Sequence, residues 1–149
     1  MAIEIERKFL VINPSYTQMS TGKIEIKQGY LNRNPERTVR IRTMGLKGFL
    51  TVKCLNHGVM RHEFEYEIPL EDAEEILKLA EPGVVEKTRY FVPFGGLIWE
   101  VDEFHGSLQG VVLAEVELPS SSSEFLLPPF VGKEITGDPA YYNSNLKVN

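Results

Sequence analysis

The sequence predicts a β-dominated chain with a few helices, closed into an antiparallel eight-stranded barrel with helices packed outside. Two observations predict it. Gly, Pro and Asn cut the chain into about eight short stretches of alternating polarity, the mark of strands joined by short turns. Only one stretch changes to a clear helical period. Eight such strands in an open sheet would leave two exposed edges, and closure removes them.

The first strand is residues 2–11, where Ile3, Ile5 and Phe9 alternate with Glu4, Glu6 and Lys8, and Arg7 interrupts the apolar side. NPSYTQMSTG is a loop with room for one helical turn. KIEIKQGYL (23–31) is the second strand, and NRNPE is its polar turn. RTVRIRTM (37–44) and FLTVKCL (49–55) form a hairpin through GLKG, and MRHEFEYEI (60–68) is the fifth strand. Pro69 then opens an amphipathic helix in which Leu70, Ala73, Ile76, Leu77 and Ala80 recur at helical spacing. Pro82-Gly83 stops it. VVEKTRYFVPF (84–94), LIWEVDEF (97–104, after a Gly95-Gly96 turn) and GVVLAEVELP (110–119) complete the strands. SSSSEFLLPPF reads as a short helix or loop, and Asp138-Pro139 as the start of a last helix.

One domain over residues 1–149 is expected, since the chain is long enough for one good core. A formal charge of -5 gives no general attraction to nucleic acid or anionic membrane, so any polyanion must be met by locally clustered Lys and Arg. Cys54 is the single cysteine, no long apolar run spans a membrane, and MAIEIERKF has no signal-peptide pattern. A cytoplasmic protein, monomer or homodimer, is expected. His57, His62 and His105 fall at a turn or a strand end and read as surface residues.

Seven strands carry one charged and one apolar face. Thr38, Arg40 and Arg42 share a face, as do Thr51 and Lys53; so do Glu63, Glu65 and Glu67, then Lys87 and Arg89, Glu100 and Asp102, and Glu115 and Glu117. A flat sheet with these charges in water and one helix on its apolar side satisfies the pattern. So does a barrel with the charges inside, because the apolar face carries Phe9, Tyr66, Phe91 and Trp99 and the helices need an apolar surface to pack on. Buried charges cost several kcal/mol each unless they pair or bind ions. With the first strand, the charged faces hold six bases and nine acids. Excess carboxylate suits hard divalent cations such as Mg²⁺ or Mn²⁺, and the bases suit a phosphate chain. Together they describe a site for a metal-bound triphosphate.

Glu4-x-Glu6-x-Lys8 resembles the ExExK signature of the CYTH superfamily, the triphosphate tunnel metalloenzymes. RTVRIR, FLTVK, EFEYEI, EKTRY, WEVDEF, AEVELP and TGDPAYYNSNL resemble blocks of its small bacterial members, in order and over nearly the whole chain. The resemblance implies a charged tunnel inside an eight-stranded barrel, with Glu4, Glu6, Asp102, Glu115 and Glu117 as ligands of Mg²⁺ or Mn²⁺. It implies Lys8, Arg40, Arg42, Lys53, Arg89 and Lys133 as phosphate binders, with Lys87 beside them. Glu63, Glu65 and Glu100 complete the wall. Lys8 and Tyr30 are its catalytic candidates, Tyr30 as proton acceptor. The implied activity is hydrolysis of tripolyphosphate or another triphosphate. The alternatives are an adenylyl cyclase, a thiamine triphosphatase, or a polyphosphate- or nucleotide-binding module without turnover. No adenine-binding element stands out, and intact acids argue against a pure anion binder.

Overall fold

Alternation and short turns do produce a ring. The computed structural model describes residues 2–55, 59–142 and 145–146, so His57 lies outside the described residues. The strands are β1 (Ala2–Val11), β2 (Gly22–Asn32), β3 (Arg37–Met44), β4 (Lys47–Cys54), β5 (Met60–Ile68), β6 (Val85–Phe94), β7 (Leu97–Phe104), β8 (Val112–Glu117) and β9 (Val131–Glu134). Their order is β5-β4-β3-β2-β6-β7-β8-β1, closed by an antiparallel β5–β1 pairing. The β3–β4 turn is only Gly45-Leu46 and the β6–β7 turn only Gly95-Gly96; these three glycines hold φ of 60°, 59° and 78°, which a side chain would resist.

β9 is the element the sequence pattern did not disclose, because VGKE is four residues with no clean alternation. It joins β1 alone. The edge of β1 away from β8 is thereby divided: Ala2 to Ile5 pair with β5, while Phe9 and Val11 pair with β9. The barrel wall parts between these two neighbours, beside Lys8.

Register shows which residues share a face, and the cavity that Lys8, Tyr30, Arg40, Lys53, Arg89 and Glu115 line together shows that this face is inside. Cross-strand partners share a face, so Lys8 opposite Glu115, Asp102 opposite Arg89, and Arg40 opposite both Tyr30 and Thr51 all point into the ring. The charged faces therefore line a tunnel and the apolar faces point outward. Phe91 is an exception to the expected outer face: it pairs with Glu100 and shares the parity of Lys87 and Arg89, so it stands on the tunnel face.

The main core consequently lies outside the barrel. Phe9, Val92, Trp99, Val101, Ala114 and Val116 point outward and are covered by Tyr16 of the helical turn α1 (Tyr16–Met19), by Leu118 and Phe130, and by Phe125. The covering segment 118–130 forms no helix, since Pro128-Pro129 ends any helical run; its aromatic side chains do the packing. Arg7 also points outward. It makes a bidentate pair with Glu134 and lies over the Phe125 ring.

Helix α2 (Leu70–Leu77) packs Ala73 and Leu77 over Ile41 on the opposite side. Its close approach depends on Gly48, where an added Cβ would stand 2.5 Å from the Cβ of Ala73 and near two backbone oxygens. Gly48→Ala is therefore expected to lose about 1–3 kcal/mol by overpacking, measurable as a lower midpoint in urea with an unchanged slope. No helix among the described residues is long and apolar enough to cross a membrane.

Candidate active site

The tunnel is layered along its axis. At one end stand Glu4, Glu63, Glu65, Glu100 and Glu117. In the middle are Lys8, Arg40, Lys53, Lys87 and Arg89, together with Glu6 and Glu115. At the far end the inner positions become Val85, Phe104 and Leu113, packed with Ile135 and Leu108 into an apolar floor. Single strands repeat the sequence of layers: β8 runs from Glu117 through Glu115 to Leu113, β7 from Glu100 through Asp102 to Phe104, and β6 from Arg89 through Lys87 to Val85. An acidic cavity and a basic cavity meet at a shared ring of Glu6, Arg40, Lys53, Arg89 and Glu115.

The ion pairs fix the middle layer. Asp102 accepts from Arg89 Nε at 2.8 Å and Nη2 at 3.0 Å, and faces Lys87 Nζ at 2.8 Å. Burial opposes its charge, but Arg89 and Lys87 prevail and hold its carboxyl down at about 2. Glu115 lies 3.3 Å from Lys8 and is likewise held far below the usual range, burial being outweighed by Lys8, Arg89 and Lys87. Burial pushes Lys87 down to about 8, with Arg89 adding to it and Asp102 opposing.

Arg40 and Arg42 converge on Glu65, at 3.6 and 3.0 Å. Their Nε atoms are buried and have no hydrogen-bond acceptor among the described residues. Burial and the like charges of Arg40 and Arg89 push Arg42 down to about 10. Three guanidinium groups crowd here with a single shared carboxylate between two of them, which leaves donors for a polyanion.

The acids opposite are under the reverse strain. Burial first, then the charges of Glu115 and Glu4, push Glu6 up to about 8. Burial, reinforced by Glu63 and Glu115 and opposed by Lys53, holds Glu4 up at about 7. Lys53 lies 3.2 Å from Glu4 and 3.8 Å from Glu63.

Two expected residues fit their assigned roles poorly. Lys133 is exposed on β9, which lies beyond the closed ring, and lines neither tunnel cavity. Tyr30 does line the basic cavity, but burial raises its phenol pKa against the opposing charges of Arg40 and Lys8. It is protonated at neutral pH and accepts from Gln28 Nε2 at 3.4 Å, so it offers its proton to a ligand and is not poised to take one. His62 pairs with outward-facing Ile3, and His105 contacts Thr88 on the outer wall.

Sequence reading missed Arg61 and Gln28. Arg61 lies two residues before Glu63, so the alternation of β5 already put it on the inner face. Gln28 lies opposite Arg42 and Val85 and is fully buried.

The family model of the CYTH domain matches residues 2–142. The chain is a CYTH protein. Among curated relatives, the inorganic triphosphatase of Acetivibrio thermocellus is 47% identical, over 100% of this chain and 96% of its own length. The inorganic triphosphatase of Nitrosomonas europaea is 35% identical, over 98% of this chain and 97% of its own. The crystal structure of the inorganic triphosphatase NE1496 aligns with a TM-score of 0.68 at 34% identity, covering 100% of this CYTH chain and 97% of that one. A Hippeastrum protein described as a putative adenylyl cyclase with a dominant triphosphatase activity shares the fold, with a TM-score of 0.62 at 18% identity over 78% of this chain and 80% of its own.

Members of this family depend on a divalent metal. Among the described residues no three His, Cys, Asp or Glu side chains converge into a ready cage. The donor chemistry nevertheless fits. Glu4, Glu6 and Glu117 bring hard oxygen donors to one cavity, and no ion pair or hydrogen bond reaches the Glu6 carboxylate among the described residues. Carboxyls raised by burial and by one another's charge are places where a cation replaces protons.

This gives a signed pH dependence. A carboxyl with a folded pKa of about 7 or 8 and an ordinary unfolded value binds more protons folded than unfolded, so it destabilises the metal-free protein as pH rises from about 4.5 to 8. In chelator, the melting temperature is expected to fall between pH 6 and pH 8, by about 3 °C for each unit of net shift. Mg²⁺ or Mn²⁺ should restore it more at pH 8 than at pH 6. A melting temperature that rises with pH in chelator would contradict this arrangement of charges.

Proposed function

We propose that this chain is a divalent-metal-dependent triphosphatase that hydrolyses inorganic tripolyphosphate to pyrophosphate and phosphate inside the tunnel. The observation that carries the reading is that the two cavities meet at one ring, where under-paired guanidinium donors of Arg40 and Arg42 stand in the same space as the under-paired carboxylate of Glu6. A triphosphate satisfies the first and a divalent cation the second. The names of two relatives aligned over nearly their whole length point the same way.

In this reading Arg40, Arg42, Lys53 and Arg89 hold the phosphate chain and take up charge on its outer oxygens as water attacks the terminal phosphorus in line. The bridging P–O bond breaks and pyrophosphate leaves. Lys8, anchored to Glu115, supports the reacting phosphate, and Tyr30 donates a hydrogen bond from the cavity wall. Glu4, Glu6, Glu115 and Glu117 would hold Mg²⁺ or Mn²⁺, which neutralises phosphate charge and lowers the pKa of bound water. Asp102 already carries two cations of the chain, so its role is to set Arg89 and Lys87 in place. We further take residues 1–149 to act as one domain, as a monomer or homodimer in the cytoplasm.

The test is a substrate panel of tripolyphosphate, ATP, thiamine triphosphate and pyrophosphate with Mg²⁺ or Mn²⁺, following phosphate and cyclic AMP. Phosphate release fastest from tripolyphosphate is expected. Cyclic AMP as the main product would replace this reading with a cyclase. Tight tripolyphosphate binding with no turnover would replace it with a binding module.

A further inference from the structure

We propose that Arg61 is a substrate-binding residue at the outer end of the phosphate cradle, and that it selects tripolyphosphate over shorter anions. The proposal rests on the triphosphatase reading for its choice of ligand. Arg61 begins the inner face of β5 and stands directly across from Glu4 in the strand pairing. A cation so placed would ordinarily pair with that carboxylate. Instead Glu4 is taken by Lys53, and Arg61 lines the basic cavity and not the acidic one.

Its orientation is fixed from behind. Arg61 Nε donates to the carbonyl of Cys54 at 3.2 Å, which sets the guanidinium plane and leaves its two terminal nitrogens for a ligand. The other cations of the inner wall each have a carboxylate in ion-pair range: Lys8 has Glu115, Arg40 and Arg42 have Glu65, and Lys87 and Arg89 have Asp102. Among the described residues Arg61 has none. A half-buried guanidinium without a counter-charge is a standing site for an anion, and its planar fork matches phosphate oxygens.

Position gives the selectivity. Lys87 and Arg89 are buried to 2% and 6% exposure deep in the middle layer, whereas Arg61 is only half-buried. It belongs to the stretch of cavity lined by Leu55, Val59, Thr136 and Tyr142, where β5 gives way to β9. A third phosphate extends the anion from the deep cations toward this more exposed end of the same cavity, where Arg61 would meet it.

The experiment is titration calorimetry of tripolyphosphate and of pyrophosphate in chelator, without added metal, on the wild type, Arg61→Ala and Arg61→Lys, with turnover measured in parallel samples supplied with Mg²⁺ or Mn²⁺. Arg61→Ala is expected to weaken tripolyphosphate binding by about 10- to 100-fold while changing pyrophosphate binding by no more than about 2-fold. Arg61→Lys should recover part of the loss. In turnover, KM should rise with kcat nearly unchanged. If Arg61→Ala melts abnormally, Arg61→Gln, which keeps a donor for the Cys54 carbonyl, carries the same comparison. Equal losses for both anions, or no loss for tripolyphosphate, would overturn the proposal. A wild type that binds tripolyphosphate without hydrolysing it would sink the triphosphatase reading alone, and the binding ratio would still decide the role of Arg61. A wild type that binds neither anion in chelator would overturn the role given to Arg61, whereas turnover with Mg²⁺ or Mn²⁺ decides the triphosphatase reading.

Discussion

Glu6→Gln is expected to lower tripolyphosphate turnover by roughly 100-fold or more, with the metal requirement shifted to higher concentration. Glu6 sits in the ring common to both cavities, and its carboxylate has no cation of the chain in ion-pair range among the described residues. The amide keeps the shape and removes the charge that a divalent ion would meet. Stability should move the other way. In chelator at pH 8 the variant should melt at or above the wild type, because it lacks a carboxyl that burial, Glu115 and Glu4 hold up at about 8. Added Mg²⁺ or Mn²⁺ should then raise its melting temperature less than it raises that of the wild type. Full turnover together with an undiminished metal shift would show that Glu6 is not a ligand.

Asp102→Asn should act chiefly on the fold. Its carboxylate is the hub for Arg89 and Lys87, and all three are almost wholly buried. Glu100, 3.0 Å from Arg89, is kept in the variant, but the bidentate contact loses its charge and Lys87 its nearest carboxylate. Breaking a buried pair from one side costs about 3–5 kcal/mol, or roughly 6–20 °C of melting temperature for a domain of this size. The loss should lessen above pH 8, where Lys87 sheds its proton in the folded state. A melting temperature within a degree or two of the wild type would mean that solvent reaches these charges.

The barrel was legible because its strands alternate cleanly and its turns are short. What alternation alone left open was the sense of closure: the same seven two-faced strands fit an open sheet with Glu4 and Glu6 in water. Long-range pairing decides it, since Lys8 opposite Glu115 and Glu4 opposite Arg61 join strands far apart in the chain and close the ring. Phe91 went astray because a large aromatic reads as core wherever it stands, although its parity with Lys87 and Arg89 was plain. Arg61 was overlooked at the end of a strand dominated by three glutamates. Lys133 was assigned by resemblance, in a segment whose strand is too short to announce itself. Tyr30 reached the cavity as expected, yet its chemistry is set by burial, which no spacing of residues in a sequence reveals.

The divided edge of β1 has a consequence for how the protein is made. β1 is synthesised before the other strands of the barrel, and its ladders run to β5, β8 and β9, whose residues lie about 50 to 125 positions later. Until residues 112–117 have been synthesised, the Glu4–Glu6–Lys8 strand lacks the neighbour that carries Glu115. The nascent chain therefore carries half-built charged walls and outward-facing aromatics at the same time, with β1 still unpaired on its long-range edges. Long-range pairing of this kind slows folding and exposes intermediates to association. The repeated glutamates and lysines of the inner faces, costly in the finished tunnel, keep that open sheet hydrated and apart from its copies while the last strands are awaited.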